Sequence, residues 1–237
     1  MFERGGILAE IWLELQQRAG WSWLTDERLA LIFGSVVMLL ALLWYLGWQQ
    51  KRRRTQIMLR AVNDAAFGRG VPRSRTGAWG FAVAIEPPPD RFREFNISYQ
   101  PLSIFNPLDL VGRILGRRKA TFQIAGVLID APTAEMVWMR GQPPARALGV
   151  NPGSAPWVQS RLDYAGAEYA MRGTNVGAMK HVFQDMVARF TPILVSITIQ
   201  RERRPQVRLV AAGKMDAGDV SPLITAARAL GRAAMMK

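Results

Sequence analysis

His181 is the only imidazole in the chain, and Asp185 follows it at the i+4 spacing that puts two side chains on one helix face. A histidine oriented by a carboxylate is the base of a hydrolytic triad, but a triad also needs a positioned nucleophile. The chain has no Cys and no Gly-x-Ser-x-Gly elbow. The pair therefore reads as a solvated helix face. Arg172, Gly173 and Thr174 open the same predicted helix, with Lys180 further along it. Free N–H groups at a helix start can hold a phosphate, and Arg172, Thr174 and Lys180 are the side chains that would complete such an anion site. Neither P-loop nor G-x-G-x-x-G spacing is present, so a capped tight turn is the plainer account. Asp216 to Asp219 lacks the alternating oxygen ligands of a calcium loop and reads as a turn before a capped helix. Glu86 and Glu94 fall on predicted strands, with no cleft to make them an acid–base pair. With no Cys and one His, disulfides, thiol nucleophiles, iron–sulfur clusters and multi-histidine metal centres are excluded. No metal or other cofactor is expected, and the chain reads as a protein that is not an enzyme.

The basic residues carry the strongest positive signal. Lys and Arg total 31 against 18 Asp and Glu, a formal net charge of +13 over 237 residues. Arg supplies 26 of the 31, a bias that genomic base composition also produces, so the sign of the charge is informative and the partner is not. Two runs concentrate it: Lys51, Arg52, Arg53 and Arg54, and then Arg113, Arg117, Arg118 and Lys119. Clusters of this kind are drawn to anionic headgroups at about 1 kcal/mol per residue near a membrane surface. Nucleic acid is a second class of anionic partner. Aromatic residues do not interleave with the basic runs as stacking platforms require, and no helix-turn-helix or RNA-recognition signature is present.

These residues must be positioned by two very different regions. Leu29 to Trp48 is a stretch of 20 residues with no charge and no Pro. At about 1.5 Å per residue, a helix of that length matches the hydrocarbon thickness of a bilayer. Trp21 and Trp23 precede it, and Trp44, Tyr45 and Trp48 close it, as interfacial aromatic belts do. Residues 1–28 carry 3 basic and 5 acidic side chains, which leaves 28 and 13 for the remainder, so the charge divides into −2 before the span and +15 after it. The positive-inside rule then places residues 1–28 outside and the C-terminal region in the cytoplasm of a single-pass protein of the bacterial inner (cell) membrane. A cleaved signal peptide would have a shorter apolar core, a basic start and a small-residue cleavage site. Ile7, Leu8, Ile11, Trp12 and Leu15 give the N-terminal segment an amphipathic face suited to the outer interface or to a membrane partner subunit.

Residues 49–78 are expected to be a basic juxtamembrane helix and linker. Met58, Val62, Ala65 and Ala66 line one side of 55–67, and a Gly/Pro/Arg-rich stretch follows at 68–78. Residues 79–237 are expected to form an α+β domain, a mostly antiparallel sheet with helices. Strands are predicted at 79–86 (with Trp79, Phe81, Val83 and Ile85 on one face), 92–100, 120–130, 134–141, 161–173, 192–202 and 205–213. The 120–130 strand is apolar on both faces and should be central, with 134–141 as its hairpin partner. Helices are predicted at 106–118, 174–190 and from Ser221 and Pro222 onward, and 142–157 reads as a long loop. The order β-α-β-β occurs twice, over 92–141 and 161–213, either as a duplication or by coincidence. The function expected from these features is that of a membrane-anchored accessory, scaffold or docking subunit with other membrane proteins as partners. A tethered binding module for an anionic ligand is the second expectation. The 107–119 helix is expected to lie against the membrane through Leu110, Val111 and Ile114, unless those side chains enter the core.

Overall fold

The computed structural model describes residues 26–74, 77–103, 105, 107–116, 119–143, 158–161, 168–174 and 176–236. The amphipathic segment at 7–15 and most of the 142–157 loop lie outside the described residues. Helix α1 runs from Asp26 to Ala65 over 40 residues. It is the one helix among the described residues long and apolar enough to cross a membrane, with a window of mean hydropathy 2.5 that is wholly unburied. The span at 29–48 and the helix at 55–67 are thus parts of one element. Gln, Lys and Arg between them are good helix formers, and neither Pro nor Gly interrupts 48–55.

The chain divides between Leu46 and Gly47, and everything from Gly47 onward forms one compact unit. Residues 49–78 therefore fold with the sheet. Lys51, Thr55, Met58, Val62 and Ala66 are all buried, a stripe at helical spacing. The predicted linker contains a short strand, β1 (Gly70–Pro72), which pairs with β2 (Phe81–Ile85).

Seven further strands complete the sheet: β3 (Phe92–Gln100), β4 (Thr121–Leu128), β5 (Ala134–Met139), β6 (Val158–Arg161), β7 (Glu168–Gly173), β8 (Leu194–Ile199) and β9 (Val207–Ala212). Their spatial order is β1-β2-β3-β4-β9-β8-β5-β7-β6, and every neighbouring pair is antiparallel. Helix α2 (Pro107–Ile114) links β3 to β4, α3 (Val176–Phe190) links β7 to β8, and α4 (Ala217–Ala234) follows β9. The fold is α+β. Helices α3 and α4 pack on each other, α3 against β5 and β7, and α4 against β4, β5 and β9.

Several expectations change in the sheet. Strand β4 is central, but its partners are β3 and β9; β5 pairs instead with β7 and β8. The β8–β9 hairpin occupies the place between β4 and β5, so the pairing of the first β-α-β-β unit does not repeat that of the second. Burial on both faces falls to β5, whose residues 134–138 are all buried, whereas β4 alternates buried and half-buried positions. The predicted 161–173 strand is two strands, with Arg161 opposite Glu168 and Val158 opposite Met171. Strict alternation over 192–202 would put Ile193, Val195, Ile197 and Ile199 on one face, but a register shift in β8 between Leu194 and Ser196 interrupts it. Leu194 is buried together with Ile197 and Ile199, and Val195 is only half-buried, because a bulge's extra residue exchanges the two faces beyond it.

Trp79 is the other departure. It does not join the inward face of β2 but is 81% exposed. Gly77 and Gly80 exchange backbone hydrogen bonds around it, and Gly80 has φ +113°, a region open to glycine. A Cβ at Gly80 would lie 1.9 Å from the Tyr99 carbonyl oxygen. That tight turn directs Trp79 out of the strand. Helix α4 begins earlier than expected, at Ala217, with Pro222 inside it. The Asp219 carboxylate accepts the Asp216 N–H at 2.9 Å, so the acidic 216–219 stretch is the start of the helix.

Candidate functional site

The sequence candidates separate into three groups. On α3, His181 and Asp185 are both exposed, and no cluster of three or more metal-ligating side chains exists among the described residues. The anion-site candidates at the same helix are not convergent either. Arg172 is engaged by Glu135, its Nε donating to Oε2, and that hydrogen bond raises the guanidinium's already high pKa. Glu135 is buried in β5, and its other oxygen accepts the Arg201 N–H at 2.7 Å. Glu135 therefore ties β5 to β7 through Arg172 and to the 201–206 turn through the Arg201 N–H. Thr174 gives its N–H to the Thr133 carbonyl at 3.3 Å, and Thr174 and Lys180 are exposed. Gly173 has φ +129°, and a Cβ there would meet the Thr133 carbonyl oxygen at 2.2 Å. The glycine serves this close backbone approach.

The basic cluster at the start of the compact unit is built differently. Lys51 is only 6% exposed, and its Nζ lies 2.5 Å from Asp109 Oδ2 of α2, also buried. It is a structural ion pair and not a surface cation, which corrects its place among the anion-binding candidates. Asp109 Oδ2 also accepts the Ser103 N–H at 3.2 Å. Ser103 Oγ lies 2.7 Å from Gln50 Oε1, the direction of an O–H donor to an amide carbonyl, and itself accepts the Phe105 N–H at 3.2 Å. One turn on, an Arg54 N–H reaches the Leu102 carbonyl at 3.4 Å. Three α1 side chains, Gln50, Lys51 and Arg54, thereby hold the 102–109 segment.

With the carboxylate anchored inward, Leu110, Val111 and Ile114 of α2 point outward. Leu110, Val111, Ile114 and the following Leu115 are all exposed, Ile114 by 75%. They stand at helical spacing on one face, and they leave the core as expected. Trp79, over which the Lys51 ammonium sits at 5.4 Å from the ring centroid, is exposed in the same region. Of the remaining candidates, Arg52 lies over the Trp48 ring at 5.5 Å, and Arg52, Arg53, Arg54 and Lys119 are exposed. The Arg113 side chain and residues 117–118 lie outside what is described. The signal for the buried lysine was present in the sequence. Counting back from Met58 and Thr55 by seven and four places reaches Lys51 on the same face.

A cleft of about 200 Å³ lies elsewhere, lined by Phe67, Ile85, Pro87, Asp90 and Arg228 among others. Asp90 Oδ2 accepts an Arg228 Nε–H at 2.8 Å, and this hydrogen bond holds the Asp90 carboxyl below its ordinary value of 3.8. Stability from the pair is complete above that ordinary value and is lost as the pH falls through the lower folded one. Asp90 has φ +50°, which Asn also tolerates. Asp90→Asn should cost less than about 1 kcal/mol at neutral pH, with the difference from the wild type vanishing in acid. Urea unfolding at neutral and strongly acidic pH checks this; an undiminished difference in acid would assign the effect to something other than the ionised pair. The cleft brings no nucleophile or base to that carboxylate. The chain matches no family model and none of the curated proteins compared with it.

Proposed function

We propose that the chain is a single-pass, non-catalytic protein of a bacterial inner membrane, an accessory or docking subunit that presents its basic α+β domain to a membrane-associated assembly on the cytoplasmic side. The observation that carries this reading is α1 itself. Its apolar run is unburied, while its later residues Met58 and Val62 belong to the hydrophobic core of the sheet domain. An unpaired apolar helix is stable only in lipid or against other membrane helices, and here it is continuous with a folded domain. The charge division, −2 before the span and +15 after it, supports the orientation. The absence of Cys and the exposed position of the only His support a role in binding over one in catalysis.

Native co-purification from membranes in mild detergent, followed by mass spectrometry, tests the proposal. Recovery of a membrane protein in constant stoichiometry is the expected result, and a lone monomer with nothing co-isolating overturns the docking role. The exposed Arg52, Arg53 and Lys119 favour anionic lipid as a second contact.

A further inference from the structure

We infer that α2 is an interfacial helix, which beds Leu110, Val111, Ile114 and Leu115 in the headgroup layer of the leaflet where the span ends, with Lys51–Asp109 as the latch that sets its depth. The inference rests on the reading of α1 as a membrane span.

The burial of α2 is inverted. Its carboxylate is turned into the protein, and Leu110, Val111 and Ile114 are turned out. A short helix is not stabilised in water in that orientation, because the hydrophobic face contributes only when it leaves water. The fold holds it there through buried polar groups, Asp109, Ser103 and Lys51.

Position along the chain and the sheet points the same way. The charge-free run ends at Trp48, and α2 is latched to Gln50-supported and Lys51-paired groups within one helical turn of that point. The β-register agrees. Gln100 at the end of β3 faces Thr121 at the start of β4, which faces Ala212 at the end of β9. The α2 connection, together with the Trp79 turn before β2, therefore sits at one end of the strands. The 200–206 turn joins β8 to β9 at the opposite end, where Ile199 pairs with Val207.

Composition selects lipid over a soluble partner. Exposed Trp79 and Phe105 accompany the aliphatic face, and exposed positive charge comes from Arg52 and Arg53 on α1, beside the latch residue Lys51, and from Lys119 after α2. Aromatic rings, aliphatic side chains and flanking cations together are what an anionic lipid interface receives from an amphipathic helix, whose apolar face enters only the headgroup boundary. A soluble acidic partner would match the cations but not the uncharged apolar face.

The absence of cysteine makes the test direct. The full chain, with a single nitroxide-labelled cysteine, is reconstituted in vesicles of phosphatidylcholine and phosphatidylglycerol. Collision rates with oxygen and with a water-soluble nickel chelate are then compared at Leu39→Cys, Ile114→Cys and Glu202→Cys. Leu39 reports the span, and Glu202 is an exposed residue on the far turn. The expected result is an oxygen-to-chelate ratio at position 114 several-fold above that at 202 and below that at 39. A lipid-like ratio at 39 with a water-like ratio at 114 overturns the interfacial helix and leaves the span standing. It does so even if native membranes shield position 114, since the shield is then a protein. A water-like ratio at 39 overturns the span, and the inference with it. In the supporting case, Lys51→Met should reduce the ratio at position 114 toward the value at 202, because the latch that fixes the depth of α2 is gone.

Discussion

Replacing Lys51 by Met should destabilise the domain strongly for a single charge removal. The substitution keeps most of the aliphatic stem and removes the ammonium, so the buried Asp109 loses the Lys51 partner while the Ser103 N–H remains among its contacts. Breaking one side of a buried pair costs up to about 3–5 kcal/mol, and the other contacts of Asp109 set how much of that is felt. The loss has an upper limit set by an escape route: α2 can swing out and hydrate the carboxylate, and the cost then equals that of undocking the 102–116 segment. The two routes differ in what they expose. Hydrogen exchange on the full chain in detergent should show amides of 107–114 losing protection first, with those of β8 and β9 following only to the extent that global stability falls. Asp109→Asn keeps an oxygen for the Ser103 N–H but removes the carboxylate that Lys51 faces, and should also destabilise. The double variant K51M/D109N should recover most of the loss, since an uncharged pair in the same space carries no uncompensated charge. A cycle that shows no coupling between the two positions would mean that the ion pair is not what fastens α2.

That latch also marks the limit of what the sequence discloses. Elements whose apolar spacing follows one partner face were legible. In the stripe Val176, Met179, Val182, Phe183, Met186 and Phe190 of α3 and the stripe Met58, Val62, Ala65 and Ala66 of α1, all are buried as the spacing implies except Val176, Val182 and Ala65, which are half-buried against the core. The 194–212 hairpin pairs as its short connection implies. Pairings between distant segments were not legible, because antiparallel partners separated by a hairpin's worth of chain are only the commonest case. Nothing local in β4 or β5 indicates that another hairpin separates them, and that insertion is a property of the whole sheet. The bulge in β8 is similar, since Leu194 and Val195 are both apolar and either fits the inward face. The site was half legible. The outward apolar face of α2 follows from its spacing, but Lys51 sits in a run of four cations whose plain reading is a solvated cluster. Only the backward extension of the helix period and the lone carboxylate opposite the aliphatic face of α2 identify the member that turns inward.

Phe183→Ala should produce a loss of similar size by a different route. Phe183 is completely buried on α3, its ring centroid 5.0 Å from that of Tyr169 on β7 and 5.8 Å from that of Trp138 on β5, both in inclined arrangements. Truncation removes the transfer free energy of the ring and leaves a cavity bounded by two large rings on a sheet. Such a boundary collapses poorly, and about 3–5 kcal/mol is expected. Alanine is a better helix former than phenylalanine, so helix propensity changes in the opposite direction and the loss measures burial alone. His181→Ala, two residues away on the exposed side of the same helix, makes the comparison internal: the same gain in propensity should leave stability within about 0.5 kcal/mol of the wild type. Urea unfolding of the full chain in mild detergent, followed by protection of the β8 and β9 amides, reads both variants on one scale. If the two cost the same, the aromatic triplet is not part of the cooperative core. If only Phe183→Ala is costly while the amides of α2 exchange as in the wild type, the core and the latch are separate cooperative elements. Helix α2 could then detach while the sheet stays folded.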